Sequence, residues 1–178
     1  MSVFKTESEV YKGNVSYRSM KGVDMAQGLY LEEFEIGKEY ISQGRTITEA
    51  DVVNFAGISG DFNPLHMDEE FGRKGVFGKR IAHGALGFSI STGLSNQMGL
   101  FFGTTIAFIE CTVKYTSPLL IGDTVHITIV PTCIKPSSKP GKGTLKQNLK
   151  LINQDGKTIM ESSQVLLMKT KAERIPGI

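Results

Sequence analysis

The sequence predicts an α+β fold in which a curved antiparallel sheet wraps around one long buried helix. The segment from Gly84 to about Met98 has apolar or small residues on every side, as expected for a helix that is buried all round. After Gly103 the chain alternates between apolar and polar residues, which is the period of β-strands. The connections Ser117 to Asp123 and Asp155-Gly156 are typical of joins between antiparallel strands.

Three segments of different character divide the chain. Residues 1–30 are polar and aperiodic, and we expect an N-terminal arm that is loose or docks on a partner subunit. Residues 31–170 carry the periodic segments and are predicted to form one domain, followed by a C-terminal tail over residues 171–178. A length of 178 residues fits this single-domain organisation.

The predicted domain begins with a strand and a short helix. Apolar residues from Tyr40 to Ile47 indicate the strand. Thr48 is a typical N-cap for a helix over Glu49 to Ala56, which is expected to end near Gly57.

A long loop and the main sheet follow. Residues 57–80 are rich in Gly, Pro, Asp and Asn without an apolar period, so we interpret them as a structured loop that contains neither helix nor strand. Long loops in compact domains often carry function. Apolar residues on alternate positions mark four later strands: Ile109, Cys111, Val113 and Tyr115; Val125, Ile127 and Ile129; Leu145, Leu149 and Leu151; and Val165 and Leu167.

Charge and cysteine content indicate the cellular location of the protein and the classes of partner it lacks. Twenty basic and eighteen acidic side chains leave a formal charge of +2 without a concentrated basic stripe, so we expect no nucleic-acid partner. Cys111 and Cys133 match neither a disulfide framework nor a metal-binding spacing, and the first thirty residues lack a signal-peptide core. These features predict a cytoplasmic protein. Residues 81–109 carry no charge, but the adjacent Asn96 and Gln97 favour a buried helix over a membrane span.

One motif in the long loop carries clear chemistry. Asp61 and His66 lie in the segment Gly60-Asp61-Phe62-Asn63-Pro64-Leu65-His66. Pro64 fixes one φ angle and restricts Asn63, which stiffens the backbone between the two ionisable side chains. A carboxylate and an imidazole held together can bind one water and move protons in both directions at neutral pH. That is what the addition of water to a carbon–carbon double bond requires.

A second motif opens the predicted buried helix. The segment Ile81-Ala82-His83-Gly84 places a glycine at the helix N-terminus, where backbone N–H groups lack partners and the dipole is positive. A substrate carbonyl can approach a glycine backbone closely. The motif therefore predicts an oxyanion site for a thioester enolate.

These two motifs, together with the turn Ser117-Pro118-Leu119-x-x-Gly122-Asp123, resemble the MaoC-like, R-specific enoyl-CoA hydratase family over about Leu31 to Lys169. The resemblance implies the hot-dog fold, in which an antiparallel sheet wraps a long central helix, and a homodimer or a multiple of it. It also implies reversible addition of water to a trans-2-enoyl thioester, which gives the (3R)-3-hydroxyacyl thioester.

The resemblance assigns roles to individual residues. Asp61 and His66 correspond to the pair that holds and activates water, and Gly84 corresponds to the backbone N–H donor to the thioester oxygen. Asn63 is expected to support the loop rather than transfer protons, and His83 to order the loop and the start of the helix. Thr92 falls where some relatives have a serine facing the site, but it adds a methyl group.

Two other functions are also considered for this sequence, a thioesterase and a binding module. A hot-dog thioesterase commonly needs a carboxylate on or beside the central helix, and Gly84 to Met98 has none. A non-catalytic acyl-CoA-binding module would tolerate loss of Asp61 or His66, and both are present.

We expect no metal and no organic cofactor, with coenzyme A present only as the thioester carrier of the substrate. Acyl carrier protein is the alternative carrier. A metal site built from Asp61, His66, Asp68 and Glu69 is disfavoured because no second histidine lies near in sequence.

Overall fold

The computed structural model describes residues 27–171 and has the predicted α+β architecture. Its sheet is antiparallel, with the strand order β1-β4-β5-β6-β3, and β2 also pairs with β4. The helix α4 packs against one face of this sheet. This is the hot-dog arrangement that the resemblance implies. The strands are β1 (Tyr40–Ile41), β2 (Arg45–Thr46), β3 (Thr105–Tyr115), β4 (Thr124–Pro136), β5 (Lys142–Asn153) and β6 (Thr158–Lys169), and the helices are α1 (Glu49–Ser59), α2 (Pro64–Met67), α3 (Glu69–Lys74) and α4 (Gly84–Gln97).

The core lies between α4 and the central strands. Leu86, Ile90 and Leu94 of α4 are buried against apolar residues of β4, β5 and β6. A smaller apolar cluster closes the far end of the sheet around Leu31 and Leu145. These clusters account for the alternation that predicted β4 and β5, because inward-facing side chains recur at every second residue. In β6 the cluster residues include Met160, Leu166 and Met168, so the predicted Val165 and Leu167 mark the strand from its other face.

The helix α4 is not buried all round, so that prediction is wrong for the single chain. Its buried residues include Leu86, Ile90 and Leu94, whereas four residues on the opposite side form an exposed strip: Ala85, Ser89, Thr92 and Asn96. The reason is geometric, since one sheet covers only one side of a helix. Because the residues of the strip are small, the sequence does not reveal that this side of the helix is exposed.

The helix α1 begins as predicted but ends later. Thr48 accepts a hydrogen bond from the backbone N–H of Asp51, which confirms the N-cap. The helix continues through Gly57 to Ser59, where Gly60 adopts φ +75° and donates its N–H to Ala56. Gly57 is therefore an exposed helical residue rather than the stop.

The long loop contains two short helices, contrary to the prediction. Asn63 caps α2, with Pro64 at its first position, and the side chain of Asp68 caps α3 by accepting from the N–H of Phe71. Helices of four and six residues are too short to show an apolar period. The Asn-Pro and Asp capping signals were the only local evidence for them.

The first predicted strand is interrupted, but the later four are present. The segment from Tyr40 to Ile47 forms only the two-residue pieces β1 and β2, both paired to β4. In β3 a register shift between Phe108 and Glu110 removes Ile109 from the predicted alternation. The pairing partners of Cys111 and Tyr115 are Gln164 and Met160 of β6.

The remaining predictions concern the two termini, the two cysteines and the membrane. Residues 1–26 and 172–178, which hold most of the expected arm and tail, lie outside the described residues. Within residues 27–30, Gly28 donates its N–H to the backbone oxygen of Phe102 at 2.9 Å. Cys111 and Cys133 are exposed free thiols. None of the helices between residues 27 and 171 has the length and apolar character needed to cross a membrane.

Candidate active site

The two histidines of the predicted site lie face to face. The ring centroids of His66 and His83 are 3.9 Å apart, and the ring planes are tilted by 32°. His66 lies on α2 and is largely buried, while His83 immediately precedes α4 and is 2% exposed. The fold thus brings together two residues that are separated by the whole of α3 and its following loop.

Each histidine is held in one tautomer by a backbone carbonyl. Nδ1 of His66 lies 2.8 Å from the oxygen of Ile81, and Nε2 of His83 lies 2.9 Å from the oxygen of Asp61. Because a carbonyl oxygen only accepts, both ring nitrogens must donate. The other nitrogen of each neutral ring, Nε2 of His66 and Nδ1 of His83, then carries a lone pair. Nε2 of His66 is therefore able to accept a proton.

Asp61 lies beside the histidine pair. The carboxylate of Asp61 and ring nitrogens of His66 and His83 all lie within 4.8 Å of one another. Asp61 is exposed and accepts the backbone N–H of Asn63 at 3.2 Å, an Asx-type contact that orients the carboxylate. The structure therefore assembles the Asp61–His66 pair that the motif predicted, and it adds His83 to it.

The side chain of Asn63 forms a hydrogen bond with the backbone of α2. Its Oδ1 accepts the N–H of Leu65 at 3.0 Å, which caps α2 and sets the position of His66 one residue later. This contact agrees with a supporting role for Asn63.

Arg80 ties the surrounding segments together, and sequence reasoning did not identify this role. Its guanidinium bonds to both carboxylate oxygens of Glu49 at 2.8 Å and to Glu69 at 2.8 Å. These bonds join the first turns of α1 and α3 to the residue that precedes Ile81. The pKa of Glu49 is lowered, chiefly by the hydrogen bond from Arg80. The only signal for this role in the sequence was the opposite charge of Arg80 and the two glutamates, which lie far apart along the chain.

A cavity of about 560 Å³ opens between His66 and the start of α4, and we call it the His66 cavity. Its wall is mostly apolar, with Phe77, Leu119 and Met160 among its members, and Gly84 also lines it. The N–H groups in the first turn of α4 have no acceptor within the helix. A mostly apolar cavity with a histidine at one side and a helix N-terminus at another can hold an acyl thioester.

Gly84 packs closely against the ring of Tyr115. A Cβ atom at Gly84 would lie 2.9 Å from ring atoms of Tyr115, closer than real contacts allow. Tyr115 lines the His66 cavity, and burial raises the pKa of its phenol, with a further contribution from Cys111. Tyr115 was predicted only as a strand residue. Its position just before the Ser117-Pro118 turn is the signal that could have identified it.

Thr92 does not join the other predicted site residues in this chain. It lies eight positions after Gly84, about 12 Å farther along the helix axis. Its hydroxyl donates to the backbone oxygen of Ser89 at 2.7 Å. Thr92 lines a separate hollow near Gln147 and Gln164.

Comparisons with known proteins agree with this geometry. The family model described as "MaoC like domain" matches residues 33–150. An (R)-specific enoyl-CoA hydratase from Rhodospirillum rubrum is 38% identical over 112 residues, which cover 62% of this chain and 74% of that protein. A 3-hydroxybutyryl-CoA dehydratase from Methylorubrum extorquens is 37% identical over 102 residues. That match covers 57% of this chain and 62% of the relative, slightly less than two thirds of its length.

Solved structures share the same fold. An X-ray structure of a monoamine oxidase regulatory protein from Archaeoglobus fulgius aligns with a TM-score of 0.74 at 32% identity, over 81% of this chain and 96% of that chain. A MaoC-like dehydratase from Rhodospirillum rubrum has a TM-score of 0.74 at 25% identity, over 81% of this chain and 99% of that chain. A Mycobacterium tuberculosis protein with a double hot-dog fold is 16% identical and has a TM-score of 0.67, over 84% of this chain and 47% of that chain, which shows the fold alone. Since the family model matches more than half of the chain, and the fold agrees, the protein belongs to the MaoC-like domain family.

Proposed function

We propose that this protein catalyses reversible hydration of a trans-2-enoyl thioester to the (3R)-3-hydroxyacyl thioester. The observation that carries the proposal is that His66, which keeps Nε2 free and has the carboxylate of Asp61 beside its ring, lines the same cavity as Gly84 at the start of α4. A proton acceptor, a carboxylate and a helix N-terminus are the groups that this reaction uses.

In the proposed mechanism Asp61 and His66 hold one water between them. His66 accepts a proton from the water as the water oxygen bonds to C3 of the enoyl group. Negative charge then moves to the thioester oxygen, which accepts a hydrogen bond from the N–H of Gly84. The proton returns from the Asp61–His66 pair to C2, so the elements of water are added and no other reactant is consumed. Dehydration follows the same path in reverse.

The named relatives support both the reaction and its stereochemistry. One is an (R)-specific enoyl-CoA hydratase and another is a 3-hydroxybutyryl-CoA dehydratase. We extend their printed activities to this chain because it carries the Asp61–His66 pair in a matching fold. Coenzyme A is the proposed carrier, with acyl carrier protein as the alternative.

We further propose that the reaction needs no metal and no organic cofactor. Asp61, His66 and His83 are close enough to suggest a metal site, which is the competing interpretation. Two imidazoles that bind one metal must direct their lone pairs to a common point. The rings of His66 and His83 instead lie face to face, with centroids 3.9 Å apart and planes tilted by 32°, which is a packing contact between two rings rather than an arrangement in which both rings point edge-on at one ion. Proton transfer therefore fits the arrangement better than metal binding.

We also propose a cytoplasmic homodimer, or a multiple of it, that binds neither nucleic acid nor membrane. Strand β3 is eleven residues long, lies at the edge of the sheet and exposes Ile106, Phe108 and Ile109. A long apolar edge strand is prone to pair with another chain, and a two-fold axis would cover it on both copies. The exposed free thiols Cys111 and Cys133 fit a reducing compartment.

Incubation of the protein with trans-2-enoyl-CoA substrates of increasing chain length tests the function. We expect loss of the absorbance of the conjugated thioester and formation of the (3R) product, unchanged after treatment with a chelator. Release of free coenzyme A without a hydroxyacyl product would identify a thioesterase instead. Binding without any turnover would identify an acyl-CoA-binding module, and activity that is lost on chelation and restored by one divalent ion would support the metal interpretation.

A further inference from the structure

A row of paired residues on β5 and β6 forms the floor beneath α4. Starting from the His66 cavity, the pairs are Leu151–Met160, Leu149–Ser162 and Gln147–Gln164. Successive inward pairs are two residues apart, so the glutamine pair lies about 13 Å from Leu151–Met160. Leu151 and Met160 line the His66 cavity, while Leu149 and the glutamines line the second hollow that includes Thr92.

The glutamine pair is buried and incompletely satisfied. Gln147 is 1% exposed and Gln164 is 4% exposed, and Nε2 of Gln147 donates to Oε1 of Gln164 at 2.9 Å. Among residues 27–171, Oε1 of Gln147 has no hydrogen-bond partner. Two primary amides joined by one hydrogen bond leave one carbonyl oxygen and one NH2 group for another partner, even if both amides are flipped. The pair therefore presents one acceptor and one donor.

This glutamine hollow has a volume of about 220 Å³, and none of the described residues that line it carries a charge. Thr92, Ser95 and Asn96 of α4 also line it. A carboxylate or an ammonium group placed here would lose its hydration without meeting an opposite charge. An alkyl group would leave the buried oxygen of Gln147 unpaired. A hydroxyl or a primary amide both donates and accepts, so either would satisfy the pair.

The hollow and the His66 cavity are neighbours along this floor, because Leu149 lines the hollow and Leu151, the next inward residue of β5, lines the cavity. The exposed strip of α4 runs from Ala85, which lines the His66 cavity, to Thr92 and Asn96, which line the glutamine hollow. Midway along the floor, the hydroxyl of Ser162 is buried without a partner in the described part of the chain.

We propose that the glutamine hollow recognises an uncharged polar group, a hydroxyl or an amide, at the far end of the acyl chain whose thioester lies at Gly84. This inference rests on the proposed function for the position of the thioester. It adds a specificity: the protein selects acyl groups with a neutral polar terminus over plain alkyl chains and over dicarboxylic ones. Gln147 and Gln164 act as specificity-determining residues and take no part in proton transfer.

Binding measurements with unreactive saturated acyl-CoAs test this inference independently of catalysis. Titration calorimetry would compare alkanoyl-CoA, ω-hydroxyalkanoyl-CoA and the corresponding dicarboxylic acyl-CoA, with chains of about six to ten carbons because the path along α4 is about 12 Å. At the best length, we expect the wild-type protein to bind the ω-hydroxy compound at least about tenfold more tightly than either analogue. Equal binding of all three, a preference for the alkyl or dicarboxylic compound, or no binding of any acyl-CoA would overturn the inference.

A double variant and a matched control assign the preference to the buried pair. Gln147→Met with Gln164→Met preserves side-chain length but removes the polar atoms, and we expect it to reverse the preference in favour of the alkyl chain. Gln43 and Gln97 form an exposed glutamine pair with the same type of hydrogen bond at 3.1 Å, so Gln43→Met with Gln97→Met should leave the preference unchanged. A preference that survives in the buried double variant would contradict the proposal. If that variant fails to fold, as judged by circular dichroism, the wild-type comparison still decides.

Hydration assays separate this inference from the proposed function. A protein that shows the ω-hydroxy preference but hydrates no enoyl-CoA would contradict the function and retain the specificity. A protein that hydrates enoyl-CoA but shows no ω-hydroxy preference would support the function and contradict the specificity.

Discussion

Nδ1 of His66 donates to the backbone oxygen of Ile81 at 2.8 Å, across a separation of fifteen residues. This bond fixes the tautomer of the proposed base and presents its other nitrogen to a proton. It also couples the base to the segment that leads into α4, so the base and the proposed oxyanion site are positioned by the same stretch of chain.

The first prediction concerns the acid–base pair. Asp61→Asn and His66→Gln should each retain the fold and lose hydration activity by at least about a hundredfold, because a positioned acid–base group contributes about 10² to 10⁴. The double variant should be little worse than the more impaired single variant, because both residues act on one water. Hydration rates and circular dichroism measure these effects.

Two substitutions serve as controls for this pair. Asp68→Asn keeps an oxygen that can cap α3, and His126→Gln changes a residue on β4. Both should remain within a few-fold of wild type. If the parent is active and the Asp61 and His66 variants match these controls, the catalytic assignment is wrong.

The second prediction concerns the contact between Gly84 and Tyr115. Gly84→Ala should lower kcat/KM about a hundredfold, because the added Cβ displaces either the ring or the start of α4 by a fraction of an ångström or more. Tyr115→Ala in the same chain should restore part of the activity by removing the clash. Steady-state kinetics of both single variants and the double variant measure the coupling.

Gly57→Ala is the matched control for Gly84→Ala. A Cβ at Gly57 meets nothing within 4 Å, and the residue lies inside α1. Activity should not change, and the free energy of unfolding should rise by about 0.5–1 kcal/mol because alanine favours helix. An equal loss of activity in both variants would argue against a specific role for Gly84.

The third prediction concerns the edge strand β3. Light scattering should find a dimer or a multiple of it at micromolar concentration, and Ile109→Lys should shift the protein to monomer by placing a charge on the exposed edge. Val76 is 98% exposed and lies in the loop after α3, so Val76→Lys should leave the assembly unchanged. A 19.5 kDa wild-type species alone would refute the proposed dimer.

The fourth prediction concerns the Glu49–Arg80 pair and pH. The pKa of Glu49 is lower in the folded protein than its ordinary value, chiefly because of the hydrogen bond from Arg80. The stabilisation is therefore complete above the unfolded pKa of about 4.3 and is lost as pH falls through the folded pKa. Because the pair is partly exposed, the effect should be below about 1 kcal/mol.

Urea unfolding at pH 7 and pH 3 measures this effect. Glu49→Gln should lose less stability on acidification than wild type. Glu39 is exposed and makes no ion pair within residues 27–171, so Glu39→Gln should follow the wild-type pH dependence. Identical acid sensitivity of Glu49→Gln and wild type would contradict the prediction.

Local signals in the sequence predicted much of the fold. Thr48 marks the start of α1 through its own capping bond, and the alternation in β4 to β6 reflects inward and outward faces. The short helices α2 and α3 were missed because their capping residues are the only local signals they carry. The broken first strand was missed because pairing with β4, rather than local propensity, decides where β1 and β2 form.

The sequence by itself determined the α+β class, the central helix and the closeness of Asp61 to His66, because these depend on periods, caps and a stiff seven-residue motif. Only the tertiary structure decided which nitrogen of His66 is free, since that depends on Ile81 in another segment. It also decided that α4 keeps one exposed strip and that Gln147 faces Gln164. These features arise because strand register brings distant residues together and because the sheet covers only one side of α4. Neither cause leaves a local pattern in the sequence.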